Sequence, residues 1–429
     1  VVCADFRVMD EKMAEKIKVL AISYAFAPWL APRSTQLQRI LNYLSSQNFD
    51  ITVLHKNVKD LNVPLDHGLL DLTSPNIKTI SIKENRNILC KMLKIFLSAL
   101  PRIPDNTQYW VLNAYWKIRR QFQNFDVILT FSTPISDHLV GLLIKRKRKN
   151  IPWIAFFSDP YLENPYLKLN IIERKINKRL EKLILVNADA VIFVNKFTRD
   201  KTMRNYSTEL RAKTYVIPHA FNEKLYPEPH GSNKKLIIRY LGDFYGSRTP
   251  ETFCMALRLV AEKIPDLGKK LKVEFYGVSN TNLLRPFIIR NGVEDIVENK
   301  GLVGHVKSLA LMRSADVLLV IDAPGKENLF LSSKIIEYLG ARCPIFMVTP
   351  MSGPTSEIAE EIGCKTLEFY DVQEIADQIV TLLNKKEQGT LTVNIPEHVY
   401  NRYRVETVAE KYSDLIVKMC NNFNKKISG

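Results

Sequence analysis

Short apolar runs alternate with amphipathic helical segments in this sequence, and this alternation constrains the fold more than any other feature. Between the first two runs, the segment 35–47 carries apolar residues at a helical spacing. Strands that alternate with helices form parallel sheets covered on both faces, so the pattern predicts a parallel α/β domain. In the first half, the strand-like runs lie at residues 17–23, 51–54, 126–130, 153–157 and 190–194.

The same alternation starts again after residue 235, with strand-like runs at 236–241, 271–276, 317–321 and 344–348. The segment 215–235 between the two series contains three prolines, Gly231 and Ser232, which is typical of a linker. We therefore predict an N-terminal Rossmann-like domain at residues 1–215 and a C-terminal one at 216–400. Residues 401–429 form a last amphipathic helix, able to pack back on the N-terminal domain. Ligands of such sheets bind at the carboxyl ends of the strands, so the cleft between the domains is the expected site.

The composition excludes several classes of protein. The chain has 429 residues, of which 46% are hydrophobic and 25% charged, as in globular proteins. No apolar run reaches the roughly 18 residues of a membrane-spanning helix, and the acidic start predicts no secretion signal. The six cysteines form no CxxC pair, so we expect reduced thiols in the cytoplasm and no metal site.

The basic residues are concentrated in the first half of the chain. Residues 1–215 hold 34 Lys and Arg against 19 Asp and Glu, whereas residues 216–429 hold 27 against 26. The net charge is therefore +15 in the first half (34 − 19) and +1 in the second (27 − 26). This asymmetry favours an anionic partner on the N-terminal domain, namely nucleic acid, anionic lipid or an acidic substrate. The alternative is a solvated basic surface that has no partner.

The turn LGDFYGSRTPE, residues 241–251, follows a predicted strand and opens a predicted helix. Gly242 and Gly246 allow a tight turn, and the N-terminus of the helix offers free N–H groups to an anion. Arg248 lies in this turn, and its planar guanidinium suits phosphate oxygens. The alternative is an ordinary strand–turn–helix with a surface arginine.

The segment LFLSSKIIEYLGARCPI, residues 329–345, predicts a second anion site. Ser332 and Ser333 suit a helix N-cap, whereas Lys334 in the first turn opposes the helix dipole and thus suggests a bound anion. Glu337 follows about one turn later, where a carboxylate can accept hydrogen bonds from the two hydroxyls of a ribose. The alternative is a surface Lys–Glu pair.

Taken together, these segments resemble the GT-B-fold glycosyltransferases of family 4, which are retaining enzymes that use nucleotide-sugars. The resemblance covers roughly residues 17–385. The matching segments occur in the family's order: FDVILTFSTP (125–134), IPWIAFFSDPY (151–161), LEKLILVNADAVIFVNKFT (180–198), YVIPHAFNEKLYP (215–227), the Arg248 turn, SADVLLVID (314–322) and SKIIEYLGARCPI (333–345).

The resemblance implies roles for single residues. Asp159, Arg248 and Lys334 would be the catalytic residues, with Asp159 near the transferred sugar. The donor would be a UDP- or GDP-sugar bound without a metal or other cofactor, and the loop 24–34 would approach its phosphates from the N-terminal domain. The implied donor-binding residues are Gly242, Arg248, Ser332, Ser333, Lys334 and Glu337. One departure is clear: Leu329 stands where the family has the first glutamate of its two-glutamate motif, and Glu327 is two residues away.

In this family the N-terminal domain binds the acceptor, and here it is the basic domain. Cations beside aromatic residues suit an anionic bilayer surface. We therefore expect a cytoplasmic enzyme on the inner face of the membrane, with a saccharide or lipid-linked acceptor. Its expected role is the synthesis of a cell-surface polysaccharide or glycolipid. The basic helix at 168–182 adds to this surface. The residues predicted to contact acceptor or membrane are Lys91, Lys94, Trp110, Trp116, Lys145, Arg146, Lys147 and Arg148.

Three alternatives stay open. The aromatic residues of 91–122 would be ordinary core residues if their charged neighbours simply face solvent. A basic nucleic-acid-binding protein would show salt-sensitive binding, although the sequence contains no nucleic-acid motif and such a partner is not expected. A GT-B-fold relative with another role, an epimerase or an inactive scaffold, would bind nucleotide or nothing without transferring sugar. His138 could face the cleft, although a buried structural histidine is the simpler interpretation.

Overall fold

The computed structural model describes residues 15–83, 105, 107–228, 233–277 and 281–428. Within these residues, seven parallel strands form the first sheet, in the order β3-β2-β1-β4-β5-β6-β7. They are β1 (Ile17–Ile22), β2 (Phe49–Lys56), β3 (Lys78–Ile82), β4 (Val127–Ser132), β5 (Trp153–Phe157), β6 (Ala190–Phe193) and β7 (Thr214–Val216).

Helices cover both faces of the first sheet. They are α1 (Pro32–Ser45), α2 (Gly68–Asp71), α3 (Gln108–Ile118), α4 (Ser136–Lys147), α5 (Ile171–Asn187), α6 (Lys196–Met203) and α7 (Thr208–Ala212). On one face, apolar residues of α3, α4 and α5 pack with Trp153 and Phe193 of the strands. On the other face lie the apolar side chains of α1, among them Leu37 and Leu41. Because both faces are covered, the central strands are mostly apolar.

In the described residues of the second half, six parallel strands form a sheet in the order β10-β9-β8-β11-β12-β13. They are β8 (Leu236–Leu241), β9 (Leu271–Tyr276), β10 (Val297–Gly301), β11 (Val317–Ile321), β12 (Ile345–Val348) and β13 (Thr366–Leu367). The helices are α8 (Glu251–Lys263), α9 (Leu267–Lys270), α10 (Thr281–Arg290), α11 (His305–Arg313), α12 (Ser333–Ala341), α13 (Pro354–Glu361), α14 (Val372–Glu387), α15 (Glu397–Arg402) and α16 (Val405–Ser428).

The last helix, α16, returns to the first half of the chain. It packs against α1 and β4, and Tyr412, Leu415 and Ile416 are buried in the same hydrophobic cluster as α1. The chain segment before α16 pairs with the linker between the two sheets, because the Phe221 N–H donates to the Tyr403 carbonyl at 2.9 Å and the Val405 N–H donates to the Phe221 carbonyl at 2.8 Å. The two halves are therefore joined at two places, first by the linker and again by the segment that leads into α16.

The predicted fold class is confirmed, since both halves contain parallel sheets covered by helices. Four strands were not expected from the sequence, namely β3, β7, β10 and β13. They are the edge strands of the two sheets and are short, polar or both. Helix α1 also begins earlier than predicted, because Pro32 occupies the first helical position, where its missing N–H has no cost.

Candidate active site

The strand order of each sheet reverses at one point, between β1 and β4 in the first sheet and between β8 and β11 in the second. The loops that follow the two strands at such a point diverge and leave a crevice. Across the cleft, the rings of Tyr166 and Tyr245 meet with centroids 5.4 Å apart. The residues predicted to bind the donor lie in two places. Gly242 and Arg248 follow β8, whereas the others lie at the start of α12, which follows the loop after β11.

Gly242 follows β8 and has a backbone conformation that favours glycine. Its φ is +154°, and a Cβ atom there would lie 1.6 Å from Cε and 1.9 Å from Nζ of Lys334. Its N–H donates to the Tyr276 carbonyl at 2.7 Å. Gly277 lies directly behind it, since a Cβ on Gly277 would be 3.1 Å from the Gly242 backbone. The two glycines thus leave the space in which the lysine side chain lies.

Lys334 is held in the first turn of α12 by a serine cap. The Ser332 side chain accepts from the Lys334 N–H at 3.4 Å, and Ser333 is the first residue of the helix. The Lys334 ammonium donates to the Tyr240 hydroxyl at 3.2 Å and lies 4.7 Å from the centre of the Tyr240 ring. Burial, and next the positive charge of Arg248, lower the pKa of Lys334 to about 7. No carboxylate pairs directly with this ammonium among the described residues.

Arg248 reaches the same place from the turn after β8 and is only 6% exposed. Its Nη2 lies 3.3 Å from Oδ1 of Asp322, which follows β11. The other carboxylate oxygen, Oδ2, accepts from Asn328 at 2.9 Å and Thr349 at 2.8 Å, so Asp322 is fixed in position. The buried Nε of Arg248 has no hydrogen-bond partner in the described structure. The guanidinium is therefore anchored on one side and has an unused donor on another.

Glu337 is engaged by the opposite domain. Its Oε1 accepts from Nη2 of Arg39, on α1, at 2.8 Å, and the side chains of the two residues are 11% and 4% exposed. Arg39 also donates to the Ala220 carbonyl, and its Nη2 lies 3.4 Å from Nε2 of His305. The Tyr226 hydroxyl donates to the Glu337 carbonyl at 2.8 Å. Glu337 was expected to bind the ribose of the donor. One of its two carboxylate oxygens is thus already paired with a residue across the cleft.

Asp159 lies at the carboxyl end of β5, on the N-terminal side of the cleft. Its Oδ2 accepts from the Ser158 hydroxyl at 2.8 Å. Burial raises the pKa of Asp159, while Ser158 and the charges of Arg33 and Arg248 oppose this shift. Arg33, expected in a loop, lies in the first turn of α1, donates to the Ser132 carbonyl and sits 4.9 Å from the Phe156 ring centre. Two arginines from different domains therefore act electrostatically on one carboxyl.

Leu329, the residue that replaces the family's first glutamate, points into the protein and is 8% exposed. Its carbonyl accepts from the Asn195 amide at 3.1 Å and the Thr198 hydroxyl at 2.7 Å, both on the N-terminal side. Glu327 is exposed, and its Oε2 lies 3.5 Å from Nζ of Lys201. This loop is therefore tied to the opposite domain by its backbone.

The predicted acceptor and membrane surface needs correction. Trp110 is 3% exposed and donates to Asp137 at 2.7 Å, so its prediction as a membrane residue is wrong. Lys145 pairs with Asp189 at 2.7 Å, and Arg148 donates to the carbonyls of Phe122, Gln123 and Phe125. Both side chains close the end of α4, and their contact with acceptor or membrane stays a prediction.

Of the remaining predicted surface residues, Arg146 and Lys147 are exposed. Trp116 is 61% exposed, with the Arg119 guanidinium 3.8 Å from its ring centre. Lys91 and Lys94 lie outside the described residues. His138 is fully buried with Nδ1 2.7 Å from the Thr130 hydroxyl, as expected for a structural histidine.

Among the described residues, no three His, Cys, Asp or Glu side chains come together as a metal site. In the same residues, no helix combines the length and apolarity that a transmembrane span requires.

Sequence reasoning missed three residues that join the domains at the site. Arg39 is buried although it lies away from the apolar stripe of α1, so the helical pattern gave no signal for it. Asp66 accepts from the His305 N–H, at the start of α11, at 2.7 Å. Tyr166 contacts Tyr245 and also Phe330, the latter with centroids 5.9 Å apart. No local pattern distinguishes Asp66 or Tyr166 from other loop residues.

The comparisons with known proteins agree with this geometry. Residues 34–225 match the family described as Glycosyltransferase Family 4. The chain is similar to the solved structure of sucrose-phosphate synthase from Thermosynechococcus elongatus, with 18% identity and a TM-score of 0.70 over 94% of this chain and 99% of that chain. No curated protein sequence matches the chain.

Two further solved structures are similar over most of the chain. One is TarM of S. aureus, a mutant in complex with fondaparinux, alpha-GlcNAc-glycerol and UDP, with 11% identity and a TM-score of 0.63 over 93% of this chain and 99% of that chain. The other is a UDP-N-acetylglucosamine 2-epimerase from Listeria monocytogenes, described as putative in its own report, with 12% identity and a TM-score of 0.57 over 92% and 95%.

The two facing parallel sheets with their cleft are those of the GT-B fold, which the chain shares with these solved structures. The resemblance to family 4 is confirmed, because the family match spans residues 34–225 and the fold extends over both halves.

Proposed function

We propose that this protein is a glycosyltransferase that transfers a sugar, with retention, from a UDP- or GDP-sugar to a saccharide or lipid-linked acceptor at the inner face of a membrane. One observation carries the donor part of the proposal. Lys334, Arg248 and the capped start of α12 meet beside Gly242, and both cations have hydrogen-bonding capacity to spare. A diphosphate supplies the negative charge and the acceptor oxygens that this arrangement is missing.

The reaction follows from where charge develops. The bond between C1 of the donor sugar and its phosphate oxygen breaks, and both electrons of that bond stay on the diphosphate. Arg248, Lys334 and the helix N-terminus stabilise this growing charge without rearranging. The acceptor hydroxyl oxygen bonds to C1 on the same face, and its proton passes to the leaving phosphate oxygen. This order of steps needs no protein nucleophile, and metal-independent turnover is part of the proposal.

On the opposite side of the cleft, Asp159 is placed to contact the transferred sugar or the acceptor. Its carboxylate is oriented by Ser158, and it faces the charges of Arg33 and Arg248. Burial raises its pKa, whereas these charges oppose that shift and favour the ionised form, which can accept hydrogen bonds from sugar hydroxyls. Glu337 would offer its second oxygen to the ribose while Arg39 holds the first.

The acceptor part of the proposal rests on the charge distribution. The first half of the chain carries a net +15 (34 − 19), and the family places the acceptor on this half. A polysaccharide or glycolipid precursor at the cytoplasmic membrane face combines a saccharide with an anionic surface. The similar TarM structure was solved with UDP and a glycosylated glycerol, which supports a UDP-sugar donor and a saccharide acceptor here.

The donor proposal can be tested by thermal unfolding with UDP, GDP, ADP, dTDP and their sugars, in the presence of a chelator. A ligand at about 100 times its Kd stabilises the native state by about 2.7 kcal/mol, which moves the midpoint by several degrees. We expect a shift with UDP or GDP that is lost in Arg248→Ala. The matched control is Arg258→Ala on α8, where the arginine side chain is 49% exposed.

Two results would contradict the donor proposal: an unchanged shift in Arg248→Ala, or no shift with any nucleotide. The similar epimerase makes one alternative specific. Incubation of the effective nucleotide-sugar without acceptor, followed by separation of the sugars, distinguishes the two activities. An epimerised donor would identify an epimerase, whereas nucleotide release that depends on added acceptor supports transfer.

A further inference from the structure

Helix α5 begins with two isoleucines that the fold leaves in solvent. Ile171 is 77% exposed and Ile172 is 67% exposed, more than any other aliphatic side chain among the described residues. The position of the helix start is fixed by a capping box, in which Asn170 accepts from the Glu173 N–H and Glu173 accepts from the Asn170 N–H, each at 2.9 Å. These two apolar side chains therefore project from an ordered helical turn.

Six exposed cations surround and follow the two isoleucines. In the described part of the chain, only one of them has a carboxylate within ion-pair distance, Arg174 with Glu163 at 3.6 Å. Of the two acidic residues on the helix, Glu173 forms the cap and Glu181 is buried. The exposed cations are Lys168, Arg174, Lys175, Lys178, Arg179 and Lys182.

The helix presents this surface in a fixed direction. Ile171, Lys175, Lys178 and Lys182 follow the spacing of one helical stripe. A different side of the helix is anchored, because Ile184 and Leu185 are fully buried in the core of the sheet and Glu181 accepts from the Tyr206 hydroxyl at 2.9 Å. We call the first-turn isoleucines and the six cations the α5 surface.

The α5 surface lies beside the mouth of the cleft. In a parallel sheet, the helix that follows a strand begins at the carboxyl edge, which here is the edge that carries Asp159. The connecting segment 158–170 includes Tyr166, whose ring contacts Tyr245 and Phe330 of the opposite domain. A partner bound at the start of α5 would thus be held next to the reacting groups.

We propose that the α5 surface docks on an anionic lipid bilayer, with Ile171 and Ile172 inserted at the headgroup level and the cations against lipid phosphates. The proposal deepens the proposed function, on which it rests, because it gives the place where a lipid-linked acceptor would meet the cleft. A bilayer matches both components of the surface, an apolar layer for the isoleucines and negative charge for the cations. A nucleic acid would match the cations alone.

The test is vesicle sedimentation with the full chain, using phosphatidylcholine alone and phosphatidylcholine mixed with phosphatidylglycerol. We expect binding to the mixed vesicles that weakens as salt is added. Ile171→Ser with Ile172→Ser should weaken this binding about tenfold or more. The matched control is Ile289→Ser, on the C-terminal half, where the side chain is 51% exposed.

A second variant tests the charges. Lys175→Gln, Lys178→Gln and Lys182→Gln together should remove the preference for the mixed vesicles, whereas Lys263→Gln, Lys269→Gln and Lys270→Gln should not. Three results would overturn the proposal: no binding of the wild type to mixed vesicles, wild-type binding in the isoleucine variant, or tight binding to duplex DNA with none to vesicles.

The same proteins are assayed for the nucleotide-induced rise in unfolding midpoint. A rise with no vesicle binding would refute the α5 surface and leave the donor site standing. Vesicle binding that needs Ile171 and Ile172, without any nucleotide effect, would support the surface and refute the proposed function. Because all substituted side chains are exposed, equal midpoints of the nucleotide-free variants verify that folding is intact.

Discussion

Lys334 is the residue whose protonation should change most when a nucleotide diphosphate binds. In the free protein, burial and the nearby Arg248 lower its pKa to about 7, whereas Asp322, Asp243 and Glu337 act in the opposite direction. A diphosphate beside Lys334 and Arg248 adds negative charge and returns the pKa of the lysine towards its ordinary value of about 10.4. Binding above pH 7 should therefore take up a proton from solution.

The size of this effect follows from the two protonation states. With a pKa of about 7, roughly one tenth of Lys334 is charged at pH 8 and roughly nine tenths at pH 6. Binding should then take up about 0.9 proton at pH 8 and about 0.1 at pH 6. By linkage, the titration of Lys334 makes the logarithm of the nucleotide affinity fall by about 0.9 per pH unit near pH 8. Near pH 6 the same titration changes the affinity very little. Phosphate esters lose their second proton near pH 6, so the nucleotide does not contribute at pH 8.

Isothermal titration calorimetry measures this proton uptake. The nucleotide that raises the unfolding midpoint is titrated at pH 8 in two buffers of different ionisation enthalpy, and the difference between the apparent enthalpies gives the number of protons. Lys334→Arg keeps the positive charge but does not titrate, so it should bind with an uptake near zero. Lys263→Arg, at a site where the lysine side chain is 56% exposed, should behave as the wild type.

Two outcomes would refute the reasoning. Tight binding at pH 8 with no proton uptake would mean that Lys334 is already charged in the free protein or stays neutral beside the nucleotide. Equal uptake in Lys334→Arg and wild type would assign the proton to another group.

Three further predictions concern residues around the same cleft. Lys334→Met should raise the unfolding midpoint of the nucleotide-free protein at pH 6, and should raise it less at pH 10. Folding lowers the pKa of Lys334, so this residue destabilises the native state fully below about pH 7 and no longer does so above the ordinary pKa of a lysine. Thermal melts at the two pH values check this, and an equal effect at both would contradict it. Gly242→Ala should abolish the nucleotide-induced shift in midpoint, because its Cβ would lie 1.6 Å from Lys334 Cε, whereas Gly363→Ala, at a φ of +65° with open space, should retain it. Arg39→Met should lower the free energy of unfolding by about 3–5 kcal/mol, because it leaves Glu337 buried without a partner. The double variant Arg39→Met with Glu337→Gln should lose clearly less stability. Urea unfolding of the wild type, the two single variants and the double variant measures this, and additive losses would mean that the two residues do not interact.

The sequence was sufficient for the fold wherever burial is complete. Strands such as β5 and β11 are covered on both faces, so every residue in them is buried and the sequence is a continuous apolar run. β10, by contrast, has the sequence Val-Glu-Asn-Lys-Gly and only its first residue is buried. An edge strand of this kind has no hydrophobic periodicity, and it forms because its backbone pairs with β9.

The candidate site was predictable on the side of one domain. Gly242, Arg248 and Lys334 belong to motifs with a fixed spacing, and the structure brings them together. The partners of Glu337 and Leu329 were not predictable, because Arg39 and Asn195 belong to the other domain and meet them only through the relative placement of the two sheets. Trp110 was misjudged for a related reason: a tryptophan among cations has the same sequence pattern whether it faces the core or solvent.

The placement of charge links the two proposals. In the C-terminal half, surface lysines are balanced by acids, as in Lys270–Glu387, Lys272–Glu298 and Lys365–Glu374. Part of the basic excess of the N-terminal half serves the fold and the cleft, because Lys145 and Arg148 close the end of α4 and Arg33 and Arg39 face the cleft. The exposed cations of α5 lie at the end of the segment that begins with Asp159. Because one short segment carries both the candidate catalytic carboxyl and the start of the α5 surface, contact with a membrane there would position the acceptor relative to the donor without any further domain.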